Sequence, residues 1–240
     1  MPYLILSDIH SNREALEAVT DDAQGRYDRV VCLGDIVGYG ADPNFTAEWV
    51  REHATSAIRG NHDKMCTGLE TPEGHNQAAR LAAEWTRAAL TPANTTYLEN
   101  LPRGPLRVDG VDLVHGSPLD EDEYLIHAGD VALAREALDA QVTFFGHTHI
   151  QGGFLLARRG IRRIVGQQVL ELEPDHVYLI NPGSVGQPRD ANPRAAYAIY
   201  TPENRTVEYR RVKYDVPAAA KKILDAGLPA VLAGRLYEGA

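Results

Sequence analysis

Only two cysteines, Cys32 and Cys66, occur in 240 residues. That is too few for a disulfide framework, and their spacing suits neither a bridge nor a thiolate metal site, so a reducing cytoplasm is the expected setting. No stretch comes near the ~20 apolar residues of a membrane span, so no membrane partner is expected. The opening MPYLILSDIH lacks the basic lead-in and the apolar length of a signal peptide. Positive charge is also in short supply, with 24 Lys+Arg against 33 Asp+Glu and a net charge of −9. Such a balance repels nucleic acid at long range, so a nucleic-acid partner is not expected. An anionic substrate would need a local positive site. Internal repeats, low-complexity tracts and long linkers are absent from the sequence too.

What recurs instead is a short apolar run that stops on a polar cluster. YLIL runs into SDIH, RVVCL into GDIVGYG, SAI into RGNHD, VDLV into HGSP, VTFF into GHTH, and VYLI into NPGS. The runs are rich in β-branched residues and carry hydrophobes on both parities, the pattern of strands buried on both faces. Helical patterns lie between them. Ser11 or Asn12 caps REALEAVTDDA with Leu16 and Val19 on one side, and residues 76–90 put Leu81, Trp85 and Ala88 on one stripe. TPANTTYLENL and 129–140 are further helices; AAYAIYT and TVEYRRVKY are strands joined by PENR, with short helices from Pro217. The order predicts an α/β (α+β) chain, a mixed sheet system flanked by helices with its polar clusters at strand ends.

Those clusters collect Asp8 and His10; Asp35; Asn61, His62 and Asp63; His115; His147 and His149. Residues i and i+2 of an extended segment project to one side, so Asp8-x-His10 and His147-x-His149 each offer a two-ligand claw. Imidazole, carboxylate and an amide oxygen without thiolate suit a divalent first-row metal. Seven candidate ligands exceed what one ion needs and fit two ions sharing one carboxylate, the clamp used for displacement at phosphorus.

The series DIH, GDIVG, GNHD, VHG and GHTH resembles the five motifs of the calcineurin-like metallophosphoesterase superfamily, in order. EWTRAAL, HGSP and NPGSVGQPRDANPRAAYAIY extend the likeness to the small, single-domain bacterial and archaeal branch. The resemblance implies one domain over 1–240, folded as a four-layer αββα sandwich with two mixed β-sheets. It implies Asp8, His10 and His149 on one metal, Asn61, His115 and His147 on the other, and Asp35 bridging through its two oxygens. It implies two divalent transition-metal ions, manganese the expected pair, with iron, nickel, cobalt or zinc as alternatives. The implied activity is hydrolysis of a small phosphate ester by attack of a metal-bridging hydroxide. His62 would act beside the metals as general acid or transition-state stabiliser, with Asp8 or Asp63 fixing its ring. Many relatives carry glutamate at Asp63. A nucleotide phosphodiesterase is the alternative within the class; a non-catalytic protein-binding scaffold of the same fold is the alternative outside it, disfavoured by the intact ligand set. Oligomeric state and substrate are not given by these residues.

Arg189 either grips substrate phosphate or pairs with Asp190. Asn12 is read as a helix cap, with a phosphate contact as the alternative. Asn181 and Ser184 are read as turn residues, and Tyr39 as a packed residue near the pocket edge. Residues 64–75 read as a loop, either a lid bringing His75 or Asn76 to substrate or an ordinary surface loop; Cys66 falls within it and stands open to solvent on that reading. The acidic run 120–123 reads as a solvated loop.

Overall fold

A computed structural model describes residues 1–166 and 169–240. From the N-terminus run β1 (Tyr3–Leu6), α1 (Arg13–Ala23), β2 (Arg29–Cys32), α2 (Pro43–His53), β3 (Ser56–Ala57), α3 (Asn61–Thr67), α4 (Gln77–Ala89) and α5 (Pro92–Glu99). Then come β4 (Leu106–Val108), β5 (Val111–Leu113), α6 (Ala128–Ala134), β6 (Val142–Phe144), β7 (Gly152–Ala157), β8 (Gly160–Val165) and β9 (Val169–Glu171). The chain ends in β10 (Val177–Asn181), β11 (Ala195–Thr201), β12 (Thr206–Val212), α7 (Val216–Asp225) and α8 (Ala230–Glu238).

The strands form two six-stranded sheets, in orders β3-β2-β1-β11-β12-β9 and β4-β5-β6-β10-β7-β8. Each is mixed. β1, β2 and β3 run parallel, as do β5, β6 and β10, and the remaining pairs are antiparallel.

Why hydrophobes occupy both parities is visible in single strands. In β1, Leu4 and Leu6 pack with α1, α2 and α3 residues such as Leu16, Val50 and Met65, while Tyr3 and Ile5 face the second sheet through Phe144, Tyr178 and Ile180. In β10, Tyr178 and Ile180 face inward, and Leu179 packs outward with Val131 and Ala134 of α6. Period-two alternation therefore buries two different interfaces, and the layers read helix, sheet, sheet, helix. The αββα expectation holds.

Several local expectations do not. Residues 61–67 are helix α3, ended by Gly68 at φ 88°, so the loop after GNHD starts at that glycine. Cys66 is consequently buried, as is Cys32, and both thiols are free. The 129–140 helix stops at Ala134 and continues as a 3₁₀ turn over Arg135–Ala137. On α4 the buried face is Ala79, Ala82, Ala83 and Thr86, and Leu81 is exposed. Small residues let α4 lie close to α3, α7 and α8, which outweighs the area that the larger stripe would bury. Asn12, not Ser11, caps α1 by accepting from Ala15 N.

Candidate metal centre and active site

The parallel strands β1, β2, β5 and β6 deliver the clustered residues, but not in extended conformation. Asp8, His10, Asp35, His147 and His149 have φ between 50° and 65°. The two claws are thus left-handed turns rather than strand ends, a costly backbone for non-glycine residues that is held by its surroundings. Asp8 N donates to Gly34 O and His10 N to Asp35 O, while Gly40 N donates to His10 O. His147 N donates to both oxygens of Asp8 at 3.2 Å, joining the two claws across the sheets.

Two buried groups result. Asp8, His10, Asp35 and His149 offer ligand atoms within 4.8 Å of one another, and so do Asp35, His115 and His147. Asn61 adds its Oδ1, 3.1 Å from His115 Nε2. All seven predicted ligands are therefore brought together. Asp35 joins the groups through one oxygen: Oδ2 is 3.5 Å from both His10 Nε2 and His115 Nε2. Its Oδ1 accepts the His62 backbone N–H at 2.8 Å.

The donor set fits divalent cations. His10 Nδ1 donates to Val37 O, His115 Nδ1 to Leu33 O and His149 Nδ1 to Gln187 O, at 3.2, 2.8 and 2.5 Å. A proton fixed on Nδ1 leaves Nε2 as a lone pair. With both Nδ1 atoms protonated, His10 Nε2 and His149 Nε2 face each other at 3.1 Å as two lone pairs that a shared metal ion or proton would reconcile. His147 differs, with its Nε2 on Asp122 O at 3.1 Å. Burial and the nearby His115 push His147 down to about 3, and burial lowers His10 well below the usual histidine range, both favouring the neutral ligand form. Burial opposes a charge on His115, yet Asp35 holds it up at about 10; burial likewise opposes the Asp8 charge, which His149 and His115 retain.

His62 is buried beside this pair, its ring 4.8 Å from that of His10 and 4.2 Å from that of Tyr39. Its Nδ1 has no hydrogen-bond partner among the described residues. Burial lowers it to about 4, with Asp35 acting in the opposite sense. Neither Asp8 nor Asp63 fixes the ring. Asp63 sits at the third position of α3 and accepts from Ile36 N, Val37 N and Gly60 N at 2.9, 3.2 and 2.9 Å. A helix-start carboxylate naturally meets backbone amides, and here it clamps the GDIVG turn to GNHD.

A cavity of about 230 Å³ opens above the ligands, with Asp35, Asn61, His62, His147 and His149 beneath and Tyr39, His75, Asn76, Tyr124, Arg189 and Arg235 around it. Tyr124 stacks on His147 with ring centroids 3.9 Å apart. Asp190 pairs with Arg211, which removes the Arg189–Asp190 ion pair and leaves Arg189 on the rim, donating to Gln187 Oε1 and the Tyr39 hydroxyl. Asn12 is spent on its cap and on Gly186 O at 2.8 Å. Asn181 and Ser184 are structural: Asn181 holds Gly146 O and Thr148 Oγ1, and Ser184 donates to Asp8 O.

The acidic run 120–123 is not simply solvated. Glu121 is buried and paired with Arg59 and Lys64, and Asp122 also pairs with Lys64. Sequence reasoning missed Tyr124, Arg235 and this network. Only the juxtaposition of distant loops reveals them.

A family model for the calcineurin-like phosphoesterase superfamily domain matches residues 1–205. An uncharacterized protein of Methanocaldococcus jannaschii is 36% identical over 243 residues, covering 98% of this chain and 97% of that one. The crystal structure of a metallophosphoesterase from Sphaerobacter thermophilus has a TM-score of 0.87 and 40% identity, covering 100% of this chain and 99% of its own. A hypothetical protein from Pyrococcus horikoshii shares the fold, with a TM-score of 0.80, 19% identity and coverage of 100% and 98%. With the ligand geometry and these matches together, the chain belongs to the calcineurin-like phosphoesterase superfamily.

Proposed function

We propose that the protein is a dinuclear metal-dependent phosphoesterase acting on a small phosphate ester, with residues 1–240 working as one domain. The observation that carries this is the shared oxygen of Asp35, equidistant from His10 and His115, with the opposed Nε2 atoms of His10 and His149 beside it. Asp8, Asp35, His10 and His149 would hold one ion, and Asp35, Asn61, His115 and His147 the other. Two such ions, manganese the favoured pair, supply a water nucleophile at neutral pH and stabilise charge at phosphorus.

The remaining chemistry belongs to the chain. The carbonyls of Val37, Leu33 and Gln187 keep the proton of three ligands on Nδ1. His62, free of a fixed ring partner, turns a ring N–H toward the phosphoryl or leaving oxygen. The cavity volume of about 230 Å³ lies below the ~300 Å³ lower range of sites for drug-sized ligands, which favours a compact ester. Two buried free thiols agree with a cytoplasmic setting.

The test pairs metal analysis of the purified protein with a panel of aryl monoesters, aryl diesters, nucleotides, cyclic nucleotides and phosphopeptides. Asp35→Asn is expected to lower occupancy of both ions and abolish turnover. His62→Ala is expected to keep the ions and lose ~10²–10⁴-fold in rate, since only its backbone N–H touches Asp35. Unchanged metal content and rate in Asp35→Asn would sink the two-ion reading. Failure of the manganese-loaded protein on every ester would favour the scaffold.

A further inference from the structure

Two arginines, Arg189 and Arg235, line the cavity, and the hydrolytic set makes no use of either. Arg189 follows β10 on the segment whose Gln187 carbonyl holds His149. Its guanidinium carbon lies 5.8 Å from the centre of the Tyr39 ring. Arg235 reaches the same cavity from α8. Neither has a carboxylate within ion-pair distance among the described residues, whereas Arg59, Arg210 and Arg211 each do. Leaving two half-buried cations unpaired, in a chain of net charge −9, is unfavourable unless an anion joins them.

The scissile phosphoryl group does not balance that charge. Two divalent ions, a hydroxide, Asp8 and Asp35 would sum to about +1 at the floor, and a phosphoryl dianion takes that to about −1. The two arginines add about +2 at the rim, so about one positive charge is left over. Arg189 lies within the 1–205 match that holds every candidate ligand and His62, whereas Arg235 lies beyond it.

We propose that Arg189 and Arg235 form a second oxyanion subsite, so that the substrate is a compact phosphate ester carrying a further anionic group, phosphoryl or carboxylate. This rests on the phosphoesterase reading for its floor and adds the substrate class. The guanidinium fork grips either oxyanion in two-point fashion, and Tyr39 backs the Arg189 plane.

The experiment compares propyl phosphate, propane-1,3-diyl bisphosphate and 3-(phosphonooxy)propanoate as substrates of the manganese-loaded protein. Wild type is expected to prefer one or both doubly anionic esters in kcat/KM, and which one identifies the second group. Arg235→Ala is expected to reduce that preference about 10- to 100-fold, the scale of a lost charge-assisted hydrogen bond, with partial rescue in Arg235→Lys. An equal loss on all three esters means that the arginines grip the scissile phosphoryl group and overturns the proposal, as does a wild type without preference. Calorimetry with propane-1,3-bisphosphonate against propylphosphonate gives a readout that needs no turnover. If no ester is hydrolysed but the bisphosphonate binds wild type at least tenfold more tightly than Arg235→Ala, the hydrolytic reading fails and the subsite stands. Equal affinity in the two proteins removes the subsite whatever the rates.

Discussion

A single carboxylate oxygen, Asp35 Oδ2, joins the two ligand groups, and its position is set by a residue without a side chain. A Cβ built on Gly60 would lie 2.2 Å from Asp35 Oδ1 and 2.5 Å from Asp35 N, at a backbone φ of −110° that any residue adopts. The requirement for glycine there is steric, not conformational. Gly60→Ala is therefore expected to push the Asp35 carboxylate off its two imidazoles, at a cost of about 1–3 kcal/mol in stability. Bound metal should fall below that of wild type in elemental analysis, alongside a lower melting temperature. An alanine variant with full metal content would show that Asp35 need not sit where it does. The left-handed residues Asp8, His10, Asp35, His147 and His149 make the same point from the other side. They keep a strained backbone because it aims their side chains at one spot.

Among the elements, α3 does more than present Asn61 and His62. Lys64 on its buried side pairs with Glu121 and Asp122, and Arg59 just before it pairs with Glu121. This ties down the segment that brings Asp122 O to His147 and Tyr124 over its ring. Burial raises the Glu121 pKa, but Arg59 and Lys64 outweigh it and hold the carboxyl below its ordinary value. A folded pKa below the unfolded one means the pair contributes stability above the unfolded carboxylate pKa of about 4.3 and loses it as pH falls through the folded value. Wild type should thus melt higher than Glu121→Gln at pH 7, and the gap should narrow steadily below about pH 4.3. A gap independent of pH would mean that the ion pair does not drive the anchoring.

At the scale of the molecule, α7 and α8 close the chain over the site. Leu232, Ala233 and Leu236 of α8 pack in one cluster with Tyr39, Ala79 and Ala82, and Ala191 N donates to Gly239 O at 2.9 Å. The terminal helices thereby press on the residue that lies against His10 and His62. Leu232→Ala, at a fully buried position, is expected to cost about 2–5 kcal/mol in denaturant unfolding. A loss under 1 kcal/mol would mean that α8 is only loosely attached.

The candidate metal ligands were legible in the sequence because each follows an apolar run, and a strand buried on both faces has to end in a turn where polar residues are tolerated. The sheets were legible for the same reason, since alternation in YLIL and VYLI serves two interfaces at once. β7 and β8 were not: ARRGIRRIV exposes most of β8 and so carries little periodic signal. Nor was the alanine face of α4, because close approach rewards smallness over hydrophobic area. Asp63 on backbone amides, Asp190 on Arg211 and Arg235 over the ligands depend on neighbours far away in the chain. The sequence by itself determined which donors this protein has. Tertiary structure alone decided which of them face each other and which charges stay unpaired, because hydrogen bonding and electrostatics act through distance in space, not separation along the chain.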